Sequence, residues 1–596
     1  MKLVYVWVYK YMNLLEQQAF PIDANFSIDF TIKDKSVTFT INDQYSIRHK
    51  NRLHSVTAII GKNGSGKSTF FHLMNGVDGN NKDVLYFYLD NNNEMQILCT
   101  TDLLDEITIK IQNNSQHVKG FKFQTRQDSK YLGNRFIIYY NFTFPPFSNP
   151  SLGYSDSFGS TFSSVAKKAE FPSQLRFIAR FYELIEFDIP EKIHIMVKSN
   201  QLHLFGEIKD LYDLLYKKIT NYHFRKESNF DFNTFLGRFK LNAVQLIFSY
   251  INLIGLSVFR GVNERYKEYK NYIETILEQF HLSNENSIWD HLLNFNLDYI
   301  GSFNHEPVYI GGNIKKHLLR VKECARSADD FIKFYEEDEN SHMLEKVAKW
   351  VVPTHSTRVE ELSLHLKNNI NLIEGHWDYI TKGETKKIQI LSTIYEEILS
   401  FEVQVNKYLD EYTTPLKSIV NTKAYNMILF LDEPDENFHP EWSRSLLNDL
   451  IKGIDCILER STFCDSNINS YQLILSSHSP FIVSDLPTNN IITLTNERGK
   501  IKVNEDIHLL SNGKTFAGNI HTILSEKFFL ERMIGEYAYN LLEDLKCRIE
   551  SLTEKSTLDD HEYIKYVINN ISEPLILEFF NQLYKKSDDS IQIGEK

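Results

Sequence analysis

Nowhere in the 596 residues does an uninterrupted apolar run approach the roughly 20 residues needed to cross a bilayer, so no membrane-spanning helix is expected. The opening Met1-Lys-Leu-Val-Tyr-Val-Trp-Val lacks a charged leader region and a small-residue cleavage site, and reads as a strand. Cysteine is sparse: Cys99, Cys324, Cys456, Cys464 and Cys547 are scattered, with no Cys-x-x-Cys pair and no histidine at a metal-ligand spacing. A cytoplasmic, reducing setting is the expectation. Positive charge is also short, with 65 Lys and Arg against 78 Asp and Glu and a net charge of -13. That balance excludes a protein that coats nucleic acid by bulk electrostatics, though not one with a local basic groove. What is present is a globular composition, 42% hydrophobic and 13% aromatic. The length exceeds the roughly 250–300 residues at which one core stops growing, so at least two packed units are expected.

Four stretches carry chemistry. Val56-Thr-Ala-Ile-Ile60 leads into Gly61-Lys-Asn-Gly-Ser-Gly-Lys-Ser-Thr69 and Phe70-Phe-His-Leu-Met74, the strand, glycine-rich turn and helix start that the pattern GxxxxGK(S/T) requires. The candidate phosphate-contacting residues are Gly61, Lys62, Asn63, Gly64, Ser65, Gly66, Lys67, Ser68 and Thr69. The glycines let the backbone curl so that successive N–H groups face an anion, and the helix adds its positive end. Lys67 would reach the β- and γ-phosphates of a nucleotide, and Ser68 would offer a hydroxyl to Mg²⁺. In the second stretch, the apolar strand Met427-Ile-Leu-Phe-Leu431 ends in Asp432-Glu433-Pro434, as a buried parallel strand does where it meets a nucleotide. Asp432 would hold Mg²⁺ through water, and Glu433 would polarise an attacking water.

The third stretch is Gln472-Leu-Ile-Leu-Ser-Ser477 followed by His478, placed to bond a γ-phosphate. The fourth is Trp377-Asp-Tyr-Ile-Thr381-Lys382-Gly383-Glu384 before the helical run Thr385 to Leu399. Thr381 and Gly383 stand where a helix begins, so a hydroxyl and an N–H can face an anion. A plain capping box explains Thr381 and Glu384 equally well.

Along the chain the four occur in the order phosphate loop, helix-start stretch, strand with Asp432-Glu433 and strand with His478. In that order they resemble the ABC ATPase superfamily, and within it the SMC, RecF and OLD-like branch rather than the transporters. The resemblance implies an α/β ABC-type ATPase head, with mixed and parallel sheet, that binds ATP and Mg²⁺ and hydrolyses ATP. It also implies a homodimer or an assembly of dimers, in which Thr381, Lys382 and Gly383 of one copy meet the γ-phosphate held by the other. The usual signature serine is replaced here by Thr381, with the hydroxyl and the glycine kept.

Three further stretches are similar to ATPases of bacterial defence operons, including the PtuA-type family of Septu and retron-associated systems. They are Lys2-Leu-Val-Tyr-Val-Trp-Val with Gln17-Gln18-Ala19-Phe20; Leu431-Asp-Glu-Pro-Asp-Glu-Asn-Phe-His439-Pro440; and Thr515-Phe-Ala-Gly-Asn-Ile-His521 through Phe528-Phe529 to Ala538. That resemblance implies an HNH-type nuclease partner, or a retron reverse transcriptase with its nucleic acid. Gly518, Phe528 and Phe529 also read simply as docking a C-terminal helix. The rival reading is a RecF-like DNA-binding repair clamp with no nuclease partner.

The chain is expected to divide into an ATPase lobe with the phosphate loop (1–160), a helical insertion (161–375), a second ATPase lobe (376–500) and a helical C-terminal extension (501–596). The helical reading of the insertion rests on Tyr269, Tyr272, Ile273, Ile276, Leu277 and Phe280 falling on one face. Heptads do not persist, so a long coiled coil is not expected. Basic residues cluster at Lys315, Lys316, Arg320, Lys322 and Arg326, and at Lys217, Lys218, Arg225 and Lys226 beside Tyr222 and Phe224. Contacts to DNA or RNA phosphates would use such clusters, but a solvated helix face is the plainer reading. Asp559 and Asp560 look like a helix start rather than a metal pair. Nuclease activity is not expected in this chain.

Overall fold

The computed structural model describes residues 1–33, 35–46, 52–75, 83–99, 103, 107–125, 135–141, 161–165, 170–181, 191–198, 234–258, 312–337, 349–354, 358–378, 381–411, 425–460, 468–503, 514–527, 534–553 and 556–594. It is α/β, with mixed sheets. The chain opens with β1 (Lys2–Tyr11), β2 (Leu15–Pro21), β3 (Phe26–Lys33), β4 (Ser36–Asp43) and β5 (Leu53–Gly61), then helix α1 (Lys67–Asn75). Next come β6 (Asp83–Leu89), β7 (Glu94–Cys99), β8 (Thr108–Asn113), β9 (Gly120–Thr125), β10 (Arg135–Asn141) and β11 (Thr161–Val165). The middle holds α2 (Phe171–Phe181), β12 (Lys192–Val197), α3 (Phe235–Val258), α4 (Gly312–Glu336), β13 (Lys349–Pro353), α5 (Val359–Asn368) and β14 (Ile373–Trp377). Then follow α6 (Lys382–Glu411), β15 (Tyr425–Asp432), α7 (Pro440–Arg460), β16 (Ile468–Ser476), α8 (Pro480–Ser484), β17 (Ile491–Glu497) and β18 (Lys500–Val503). The tail is α9 (Ile520–Lys527), α10 (Glu536–Glu550), α11 (Leu558–Asn569) and α12 (Pro574–Gly594).

The central sheet runs β11-β10-β15-β16-β5-β17-β18, parallel throughout except for the antiparallel edge strand β18. Every residue of β15 is buried, because the strand packs on both faces. Met427, Leu429 and Leu431 join Leu473, Leu475, Val56 and Ile60 in one core, lined by residues of α6 and α7. Ile428 and Phe430 alternate to the other face, with Ile474, Ile59, and Phe70 and Phe71 of α1. Such continuous apolar runs are the mark of a doubly covered parallel sheet. The second core is closed by Leu3, Val6 and Val8 of β1, in the sheet β2-β1-β6-β7-β9. One buried amide stitches the two sheets together: Gln472 Nε2 donates to the Leu3 carbonyl at 2.9 Å, and its Oε1 accepts from Leu3 N at 2.7 Å.

The stretch expected to be a helical insertion differs from that expectation. β11 lies within it and extends the central sheet beside β10, so the sheet runs past residue 160. Farther on, β13, β12 and β14 form an antiparallel sheet. They share a core with Leu175 of α2, Phe235 and Phe239 of α3, and Phe331 and Tyr335 of α4. The period-two alternation of Lys192-Ile-His-Ile-Met-Val197, with Ile193 and Ile195 buried, marks a half-buried strand. The helical-face residues Tyr269 to Phe280, and the basic cluster from Lys217 to Lys226, lie outside the described residues. On α4, Lys316, Arg320 and Arg326 are exposed.

The boundary at residue 501 also moves, since Ile501 to Val503 belong to the hairpin β17–β18. Beyond it, α10, α11 and α12 pack around Leu545, Ile549, Ile564, Ile568 and Phe580. Asp560 closes a capping box with Thr557 at the start of α11, which is the helix-start reading of that acidic pair. Among the described residues, no helix is long and apolar enough to cross a membrane.

Candidate nucleotide site

Parallel strands deliver their carboxyl ends to one edge of the sheet, and three neighbours here deliver chemistry. β5 ends at Gly61, β15 at Asp432 and β16 at Ser476, with β16 hydrogen-bonded between the other two. Clefts at such edges are where open α/β sheets bind ligands.

The loop after β5 turns on Gly64 (φ +77°) and Gly66 (φ +105°), both in the left-handed region that favours glycine. Lys62, Asn63 and Gly64 are exposed, while Ser65 is buried. Ser65 Oγ is sealed from solvent without a hydrogen-bond partner among the described residues. Lys67 opens α1 and folds back over the loop, its Nζ donating to the carbonyls of Gly61 at 3.1 Å and Lys62 at 3.4 Å. Burial lowers the Lys67 ammonium below its ordinary value, against the pull of Glu433, Asp432 and Asp435. Ser68 and Thr69 lie in the first turn of α1.

Asp432, the last residue of β15, is buried, and Ser476 Oγ donates to its Oδ1 at 2.6 Å. The same hydroxyl accepts from the Glu433 N–H at 2.8 Å, so one serine of β16 ties down both acidic residues. Burial raises the Asp432 carboxyl, opposed by the Ser476 hydrogen bond, and the neighbouring Glu433 raises it further. Glu433 itself has φ +48°, a strained setting for a residue with a side chain. Its Oε1 lies 3.3 Å from His478 Nε2 and 3.9 Å from Lys67 Nζ. The structure therefore brings Lys67, Asp432, Glu433 and His478 together from three separate stretches of chain.

The helix-start stretch meets a different neighbour. Thr381 and Glu384 form a capping box: the Thr381 N–H donates to Glu384 Oε2 at 2.9 Å, and Glu384 N donates to Thr381 Oγ1 at 3.4 Å. Lys382 and Gly383 are the first residues of α6. Gly383 is buried, and a Cβ there would lie 1.8 Å from a ring carbon of Trp442. Lys386 Nζ donates to the Glu436 carbonyl at 2.5 Å and stands over the Phe438 ring. This turn is thus joined to the segment after Glu433.

Asp435 was not among the sequence candidates. Its Oδ2 accepts from Ser477 Oγ at 2.7 Å, and Ser477 Oγ accepts from Ser479 N at 2.8 Å, so it fixes the turn that carries His478. Its Oδ1 is buried without a hydrogen-bond partner among the described residues. Burial pushes its carboxyl above the usual range. The one sequence signal was a third acid two places past Glu433. The segment 515–523 docks on α8: Ala517 N donates to the Ser484 carbonyl at 2.8 Å, Ser484 Oγ donates to the Gly518 carbonyl at 3.0 Å, and Ile523 enters the main core. Phe528 and Phe529 lie outside the described residues.

The donor set fits a magnesium-bound nucleoside triphosphate: a glycine curl, a buried lysine, a serine hydroxyl unpartnered among the described residues, and two consecutive carboxylates at the end of β15. Residues 420–484 match the family described as "AAA domain, putative AbiEii toxin, Type IV TA system". The match spans the strands that carry Asp432, Glu433 and His478, and it supports a P-loop ATPase domain of the AAA type in this chain. No curated protein matches the chain.

Proposed function

We propose that this chain hydrolyses ATP at the edge formed by β5, β15 and β16, as the ATP-dependent subunit of an anti-phage defence complex. The observation that carries the proposal is the Glu433 carboxylate, held on a left-handed backbone between Lys67 and His478. In this reading the N–H groups of residues 61–69 and the Lys67 ammonium hold the phosphates. Ser68 and Asp432 would hold magnesium, which when bound would supply charge neutralisation at the phosphates. Glu433 orients the attacking water, and His478 bonds the terminal phosphate. Ser476 keeps both acids in place from behind.

The chain would act with a second copy of itself, through Thr381, Lys382 and Gly383 at the start of α6, and would control a nuclease partner of HNH type or a retron reverse transcriptase. The toxin–antitoxin system named by the matched family supports a defence setting.

The test is nucleotide binding and phosphate release by the wild type, Lys67→Ala and Glu433→Gln. Lys67→Ala is expected to lose ATP binding. Glu433→Gln is expected to bind ATP and release phosphate at least about a hundredfold more slowly, the usual scale for losing a group that handles the reacting proton. Wild-type turnover in Glu433→Gln would overturn the assignment.

A further inference from the structure

We infer that Asn496 is a positioning residue for the phosphate loop, and that the hairpin β17–β18 holds that loop in its anion-binding shape before any nucleotide arrives. The inference rests on the ATPase reading of the loop and extends it to a segment more than four hundred residues away.

The hairpin meets all three glycines of the loop. β17 runs parallel to β5 as far as the pair Leu494 and Gly61, where the Leu494 carbonyl stands 2.4 Å from the place a Gly61 Cβ would occupy. Asn496 Nδ2 donates to the Gly64 carbonyl at 3.0 Å. The Ile501 side chain fills the space beside Gly66, 2.3 Å from where its Cβ would be. A loop that turns its N–H groups inward toward an anion leaves carbonyls facing outward, and Asn496 supplies a donor to one of them.

Asn496 is itself fixed. Its Oδ1 accepts from Gly499 N at 3.0 Å, across the two-residue loop Arg498-Gly499. Both loop residues have positive φ, +52° and +84°, as a type I′ hairpin turn requires. The far strand is pinned to the first sheet. Ile501 N donates to the Leu14 carbonyl at 2.7 Å, Val503 N to Gln18 Oε1 at 2.9 Å, and Lys500 Nζ to Glu16 Oε2 at 2.6 Å. The phosphate loop is thus braced through the hairpin against β2, and ordering it in advance lowers the entropic cost of binding.

Two substitutions separate the roles of the Asn496 amide. Asn496→Asp keeps an oxygen for Gly499 N and removes the donor facing Gly64, whereas Asn496→Ala removes both. Titration calorimetry with Mg-ATP, steady-state phosphate release, thermal unfolding, and backbone hydrogen exchange of the nucleotide-free protein are measured on each variant. Both variants are expected to bind ATP about tenfold more weakly, the scale of one lost hydrogen bond, with the loss in KM rather than kcat. Exchange should quicken over 61–66 and stay unchanged over 427–431, with the thermal midpoint held. Wild-type ATP affinity in Asn496→Asp, or unchanged exchange over 61–66 in Asn496→Ala, would overturn the inference. A thermal midpoint that falls together with affinity would do the same, by reducing Asn496 to a general structural residue. Failure of the ATPase reading is distinguishable: Lys67→Ala would then match the wild type in the ATP titration. The exchange comparison alone would then decide whether Asn496 braces the loop.

Discussion

Asp432 and Asp435 stand at the end of β15 as carboxyls that burial raises above their ordinary value. A raised carboxyl binds its proton more tightly in the folded chain than in the unfolded one. Its contribution to stability is therefore fully present below the unfolded value of about 3.9 and is lost as pH rises through the folded value. Near neutral pH the nucleotide-free fold thus carries charge that its surroundings disfavour, a common arrangement where a cation is to bind. Asp435→Asn is expected to raise the thermal midpoint of the nucleotide-free protein at neutral pH and to leave it unchanged in acid below the carboxylate range. Thermal unfolding across that pH range checks it. A variant less stable than the wild type at neutral pH would mean that Ser477 requires a charged acceptor.

At the scale of elements, the start of α6 decides how its glycine is to be tested. Because Gly383 packs on Trp442, any side chain there strains the contact before it can meet a partner copy. Gly383→Ala is expected to destabilise the fold by about 1–3 kcal/mol, the range for overpacking a filled site, as read by denaturant unfolding. An activity loss in a Gly383 variant would therefore report packing. Thr381→Val keeps the volume and removes the hydroxyl, at a capping cost of about 1 kcal/mol, and is the cleaner probe of a trans contact. It is expected to slow phosphate release while leaving ATP affinity unchanged. An equal loss of affinity would place Thr381 in its own chain's site.

At the scale of the whole molecule, the proposed pairing with a second copy would work by shifting an equilibrium between open and closed assemblies, and ATP could do so only through a greater affinity for the closed one. Glu433→Gln keeps Asp432 and the phosphate loop while slowing hydrolysis, so an ATP-bound dimer should persist longer than in the wild type. Size-exclusion chromatography with light scattering, with and without ATP, reads this directly. If hydrolysis stops but the assembly state never responds to ATP, the site stands and the clamp does not. ATP would then govern a rearrangement within a constant assembly.

Much of the site was legible along the chain because its parts are local. The turn from Gly61 to Lys67 needs glycine at fixed steps between a strand and a helix, and a doubly buried strand ending in Asp432 and Glu433 must read as an apolar run that stops at two acids. Residue types and their spacing therefore determined the phosphate loop, the acidic strand end and His478 as candidates. The alternation of Lys192 to Val197 does signal β12. The strands β11, β13 and β14 are runs of 5 residues each, too short to outweigh the helical period of Tyr269 to Phe280 that sets the expectation for 161–375. The partners that hold the site in shape come from afar. Asp435 and Ser477 are 42 residues apart, and Asn496 and Gly64 are 432 apart. Such pairs leave no period in the sequence, because a hydrogen bond between side chains constrains their positions in space and not their separation along the chain. Only the order of the parallel strands, with β16 between β5 and β15, sets Ser476 behind both acids and brings the hairpin β17–β18 against the phosphate loop.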